Sequence, residues 1–375
     1  MQRYHIIFSM QLSLQVQSRL DLITKTRRDL HKIPELSCVE FKTQNYICDF
    51  LTKRSIVHKR ILTGVVAEIK GLDATRTVAL RADIDALPIQ EANDVDYVST
   101  HLGHMHACGH DGHTAMLLTL LDLLTENKPR INVRAIFQFG EEGAGGARQM
   151  MTEGVLKGVS EIYAIHIDPG LDEGLFATRE GAMMAGTEEF KIKFYGRSAH
   201  CAEPKHGINA LRPIGRLLES QDHIAIKNRV LFHVGVIEGG SACNIIASEA
   251  ICYATIRYFV DSDKKIAYNN LKACLDSAKA DYGTEYRVEK TAAYPPVVNT
   301  KKAVTRVKKV LGQFVLKEQT FTAEDFAFFT QAIDGALVWL GTKTQNNFSP
   351  LHSETFDFDE KALLNGVEFF RRIVC

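Results

Sequence analysis

The sequence predicts an α/β protein with a smaller α+β domain inserted into it, and three observations carry that reading. At 375 residues and 45% hydrophobic composition the chain is too long for one simple core. Its first part alternates short β-branched runs with stretches of helical periodicity. Its middle switches to two-residue alternation in the order β-α-β-β-α-β.

From Gln17 to Leu51 apolar residues recur at helical spacing, with a break at Ile33-Pro34 because proline disfavours a helical residue before it; two helices are expected. After Gly64, Val65 to Ile69 and Thr77 to Leu80 read as short strands, Asp111 to Glu126 as a long, mostly apolar helix, and Val133 to Phe139 as another strand. Gly140, two glutamates and a glycine-rich turn lead into a helix beginning near Gly146, and a strand over Ile162 to Ile165 follows. Strands alternating with helices predict a sheet covered on both faces. In the middle, Phe190, Ile192 and Phe194 alternate, as do Val230, Phe232, Val234 and Val236, which predicts strands with one wet face. An amphipathic stretch from Gly207 to Ser220 lies between them. A strand near Ile251 to Phe259, a helix near Lys264 to Tyr282 and an extended segment near Tyr286 complete a ferredoxin-like split motif. The expected boundaries are 1–178 and 292–375 for the larger domain and 179–291 for the insertion. No internal repeat or low-complexity tract argues for a solenoid.

Lys+Arg and Asp+Glu number 45 each, so no net field favours nucleic acid or an anionic membrane, and a small partner is expected. The longest apolar stretches, such as Ala115 to Leu124, fall short of the roughly 20 residues of a membrane span. Ile6, Ile7 and Phe8 form a patch without a basic lead or a small-residue cleavage site, which gives the expectation of a cytoplasmic protein. Eight cysteines scattered through a chain of this size do not form the dense pattern of a disulfide-stapled domain.

Five histidines fall in thirteen residues: His101, His104, His106, His110 and His113. Within that run Cys108-Gly109-His110 precedes a helix and offers a thiolate and an imidazole two residues apart, a pair that borderline-soft divalent metals favour. Three other segments end a β-rich run on acidic or imidazole residues: Asp83 and Asp85 after Leu80, Glu141 and Glu142 after Phe139, and His166 after Ile165. The carboxyl ends of strands in an open α/β sheet form the functional crevice, so these residues should converge. Glu141 and Glu142 have two readings. They are either solvated residues at a helix start, favoured by its dipole, or a metal ligand (Glu142) beside a general base (Glu141). In the second reading the Cys108 thiolate could bridge two metals.

With these residues assembled, the sequence resembles the M20 peptidase family, specifically its amidohydrolase branch of hippurate hydrolases, N-acyl-amino-acid amidohydrolases and auxin-conjugate hydrolases. The likeness spans nearly the whole chain and rests on stretches such as RRDLHKIPELSCVEFKTQ, LRADIDALPIQE, MHACGHDGHTAMLL, FQFGEEGAGGARQM, GRSAHCAEPKHGINAL, TAEDFAFF and PLHSETFDFDEKAL. It implies a two-metal hydrolase domain with a central mixed sheet, and an inserted domain acting as lid and homodimer interface. It implies that Cys108, His110, Glu142, His166 and His352 hold two divalent ions per subunit, zinc or manganese, with nickel or cobalt also suited. Glu141 is then the general base, and Asp85 steadies a ligand from behind. His200, on the lid, is the implied oxyanion donor, reaching the site of the other subunit of the dimer, and Asn244 and Arg257 the grip on a substrate carboxylate. His106 and His113 stay outside the implied ligand set. The implied reaction is hydrolysis of a small N-acyl amino acid, with a dipeptidase or aminopeptidase, an N-acetyldiaminopimelate deacetylase and a catalytically silent metal- or ligand-binding homologue as the competing readings. Two departures from the family pattern stand out: Ser198-Ala199 where Gly-Gly often precedes the lid histidine, and Phe139-Gly140 where Pro-Ala often precedes the two glutamates.

Overall fold

A computed structural model of the chain describes residues 10–73, 75–143, 145–344 and 349–375, so the apolar patch at 6–8 lies outside the described residues. The chain forms two compact units, one of Met1–Gly181, Val298–Glu318 and Asp325–Cys375, the other of Ala182–Val297 and Gln319–Glu324. Among the described residues no helix is long and apolar enough to cross a membrane.

The first unit is built on an eight-stranded sheet. Edge to edge its strands are Val57–Ile61, Gly64–Ile69, Asn132–Gln138, Thr77–Asp83, Val159–Asp172, Asp334–Lys343, Phe176–Thr178 and Val315–Leu316. The four from Asn132–Gln138 to Asp334–Lys343 pair in parallel, while Val57–Ile61 and Gly64–Ile69 run antiparallel to their neighbours. In Thr77–Asp83 residues of both parities are buried, as expected of a strand covered on both faces. The helix His110–Glu126 is likewise buried almost all round, packed against the helices Leu20–His31 and Leu363–Val374.

Register sets the chemistry. Asp83 pairs with Gln138, and Arg81 with Ala164, so His166 stands level with Asp83; on its other side His166 pairs with Trp339. Gln138, Asp83, His166 and Trp339 therefore form a row across the carboxyl ends of the central strands. His166 lies inside its strand rather than beyond it, because Asp334–Lys343 continues to pair with Val159–Asp172 past that point, through Gly341 opposite Asp168.

The second unit is a four-stranded antiparallel sheet in the order Glu285–Tyr294, Gly186–Tyr195, Glu249–Tyr258, Val230–Gly239. With the helices Arg212–Glu219 and Asp261–Tyr282 this is the ferredoxin-like arrangement. Phe190, Ile192 and Phe194 from the sheet pack with Ile214 and Leu217 of the first helix and Ala267, Leu271 and Leu275 of the second. The alternating burial of Glu249–Tyr258 leaves the opposite face open.

Candidate metal centre

Each side chain of the centre is delivered by a local feature of the chain. Cys108 sits in the turn before the long helix and His110 is that helix's first residue. Gly109 between them has φ +84, in the left-handed region, and a Cβ there would come 2.1 Å from Ile167 Cδ1, so glycine is the residue that makes this turn without strain. Asp85 follows the strand Thr77–Asp83, and Glu141 and Glu142 follow Asn132–Gln138. His352 lies on a distant loop whose place is set by its own N–H donating to Ala107 O at 2.8 Å. Its φ of +62 is a left-handed conformation that costs a non-glycine residue about 1–3 kcal/mol and clusters at functional sites.

The donor atoms form two groups that share one thiol. Ligand atoms of Cys108, His110 and His166 lie within 4.8 Å of one another, as do those of Cys108, Glu142 and His352. Cys108 Sγ is 3.5 Å from His166 Nε2, and Glu142 Oε1 is 3.8 Å from His110 Nε2 and 3.6 Å from His352 Nε2. Glu141 belongs to a third group, with His110 and Glu142.

Hydrogen bonds decide which nitrogens are free. His110 Nδ1–H donates to Asp85 O at 2.9 Å, and His166 Nδ1–H to Ile167 O at 2.8 Å, so in both rings Nε2 is the nitrogen left facing the cluster. His110 Nε2 and Glu142 Oε1 are buried without a hydrogen-bond partner. Buried polar atoms rarely go unsatisfied, and soft thiolate with imidazole and carboxylate is a donor set suited to zinc or a similar divalent ion. On these grounds the residues fit a pair of metal ions.

His113 is occupied otherwise. Its Nε2 accepts the Ile167 N–H at 3.0 Å, so its Nδ1–H faces Asp83 Oδ1 at 2.6 Å and neither nitrogen is left for a metal. Asp83 is in turn held by Arg81 at 2.6 Å. Burial alone would raise the Asp83 carboxyl, but Arg81, His110 and His113 hold it well below the usual range. It is thus a fixed negative charge beneath His110, 3.7 Å from Nε2. The sequence placed Asp83 among the converging strand-end residues without giving it a role; its partners Arg81 and His113 supply one.

Burial pushes the Cys108 thiol well up, with Glu142 adding to it, and burial also raises Glu142. Burial and His113 push His166 well down, which keeps its ring neutral. Asp85 goes the other way: against its burial, bonds from His110 and Ser37 lower it. Asp85 Oδ2 accepts from Ser37 Oγ at 2.6 Å and from the Glu142 N–H at 3.0 Å. It therefore ties together a backbone amide of the glutamate pair and the ring of His110.

The other three expected residues lie in the second unit. His200 is exposed, and its Nδ1 accepts the Ala202 N–H at 3.2 Å, which leaves Nε2–H as a donor to solvent. Asn244 is exposed, with its carbonyl receiving the Cys201 N–H at 2.9 Å, so the His200 and Asn244 loops are joined. Arg257 is half-buried on Glu249–Tyr258; burial lowers its guanidinium pKa and Glu189 raises it.

The family model for peptidase family M20/M25/M40 matches residues 79–375. An uncharacterised hydrolase of Staphylococcus aureus (strain bovine RF122 / ET3-1) is 34% identical, covering 95% of this chain and 98% of its own. An uncharacterised hydrolase of Staphylococcus haemolyticus is 32% identical over the same shares. Among solved structures the Bacillus subtilis YXEP protein, a dinuclear metal-binding peptidase from the M20 family, matches with a TM-score of 0.85 and 31% identity, covering 95% of this chain and 98% of that one. The chain belongs to peptidase family M20/M25/M40 and is a hydrolase of that family.

Proposed function

We propose that the protein hydrolyses the amide bond of N-acylated amino acids carrying a small acyl group such as acetyl or benzoyl, releasing a carboxylate and the free amino acid. The observation that carries this reading is the pair of three-residue donor groups sharing Cys108, with the Glu141 carboxylate within 4.8 Å of donor atoms on both His110 and Glu142. Cys108, His110, Glu142, His166 and His352 would hold two divalent ions, zinc or manganese. Ions there would acidify a water and polarise the amide carbonyl. Glu141 accepts the proton of the attacking water and returns it to the departing amine, the work of a general base that then acts as acid. Asp85 keeps His110 in the ligating tautomer and holds the Glu142 amide. His200, through its Nε2–H, is assigned to the oxyanion, and a donor aimed at developing charge commonly supplies several kcal/mol. Arg257 and Asn244 are assigned to the carboxylate of the amino-acid half, for which a planar guanidinium is suited.

The test is release of free amino acid from N-acetyl and N-benzoyl amino acids and from dipeptides, with zinc or manganese added. Wild type should release amino acid from the acyl substrates, and Glu141→Ala should lose about 100-fold or more in turnover. Release from dipeptides alone would replace the acyl reading with a peptidase one. Undiminished turnover in Glu141→Ala would remove Glu141 as the base.

A further inference from the structure

The loop that carries Glu141 and Glu142 is held through its backbone by three carboxylates, two of which have no part in the chemistry above. Glu40 Oε1 accepts the Gly140 N–H at 2.9 Å and the Cys38 N–H at 2.9 Å, while its Oε2 accepts Thr63 Oγ at 2.5 Å. Asp85 accepts the Glu142 N–H, as described. At the far end Asp325 Oδ2 accepts the Ala147 N–H at 2.9 Å, and Asp325 itself is gripped by Arg81 at 3.1 Å and Gln138 at 2.7 Å. The loop closes on itself where the Gly146 N–H donates to Gly140 O at 3.1 Å. Glu40 and Asp325 are both 0% exposed.

Burying a carboxylate is costly unless donors meet its oxygens, and here the donors are the two ends of one loop. The residue at the first end is Gly140, with φ +65. Glycine leaves that basin without steric penalty once its N–H has no acceptor, and rotation of the 139–140 peptide would swing both glutamates that follow. We propose that Glu40 is a positioning residue which, with Asp325 at the other end, sets where the Glu141 and Glu142 carboxylates stand. The proposal rests on the reading of Glu141 as base and Glu142 as ligand. Glu40 touches neither substrate nor metal in it; the hydrogen-bond acceptor at Gly140 matters, and the negative charge does not.

Three variants separate these ideas. Glu40→Gln keeps an acceptor for both N–H groups and turns its amide towards the Thr63 hydroxyl, which can accept. Glu40→Ala removes the acceptor. Glu40→Asp keeps the charge but draws it back by one methylene, and stands in for the alanine variant should that not fold. For each, kcat and KM are measured together with titration of the metal-free protein by Co2+, followed by visible absorption. Glu40→Gln should stay within about threefold of wild type in kcat. Glu40→Ala and Glu40→Asp should lose about 10- to 100-fold in kcat with KM changed less than about threefold. They should also bind the weaker of two Co2+ equivalents less tightly. Retained kcat in Glu40→Asp with loss in Glu40→Gln would overturn the proposal, as would equal kcat in all three. If Glu141→Gln proves fully active, the base assignment falls by itself, and the Co2+ titration still decides whether Glu40 positions Glu142.

Discussion

Gly109 and His352 mark the two extremes of what single residues disclose. Cys108-Gly109-His110 is legible because thiolate and imidazole two apart before a helix form a recognisable donor pair, and the glycine's left-handed φ of +84 explains its place between them. Gly109→Ala would place a Cβ in the left-handed region and against Ile167, so it should destabilise the fold by about 1–3 kcal/mol, read as a lower denaturation midpoint. A denaturation midpoint equal to wild type would show the turn to be adaptable. His352 has no such local signal. It is a lone histidine after Pro350-Leu351, and what places it is an N–H bonded to Ala107, a product of tertiary structure. Its place in the ligand set therefore came from family likeness. Ser37 and Glu40 were similarly silent: each lies in a motif that supports the resemblance, but their partners Asp85 and Gly140 are 48 and 100 residues away.

Elements with strong periodicity were legible, and those defined by pairing were not. The helices Leu20–His31 and Phe41–Lys53 flank the expected break at Ile33-Pro34. The stretch from Gly207 to Ser220 is helical only over Arg212–Glu219, because Pro213 suits a first turn and Ile208 is drawn into a bridge with Arg197. Asp334–Lys343 is a buried run bounded by polar residues, in which periodicity does not separate strand from helix; its pairing with Val159–Asp172 does. The final helix, Leu363–Val374, carries a pH-dependent element of stability. Glu368 is buried on it, and although burial raises its pKa, Arg371, Arg372 and Ser13 bring it down from 4.5 to about 2. A carboxyl with a depressed folded-state pKa contributes stability in full above its unfolded value and loses it as pH falls through the folded one. Glu368→Gln should therefore cost about 1–2 kcal/mol at pH 7 after solvent screening of the partly exposed arginines. That gap should close as pH falls from 4.5 towards about 2, in denaturant titrations at several pH values. A gap independent of pH would mean the carboxylate charge contributes nothing.

At the scale of the whole molecule, two kinds of burial pattern wrote the two units into the sequence. Strands buried on both faces read as continuous apolar runs, and strands with one wet face alternate. The segment Gln319–Glu324 escaped that reading, since six residues joining a unit that otherwise ends at Val297 have no periodicity of their own. The central strands bring Asp83, Gln138 and His166 level, and the loops beyond them bring Asp85, Glu141 and Glu142 alongside Cys108 and His110. The sharing of Cys108 between two donor groups is the feature on which the account turns, and metal stoichiometry tests it most directly. Metal-free protein is equilibrated with zinc or manganese, dialysed and assayed for bound ion per chain. The account predicts two equivalents for wild type, one for His352→Ala, and none held tightly by Cys108→Ala. A single equivalent in wild type, or two retained in Cys108→Ala, would contradict it.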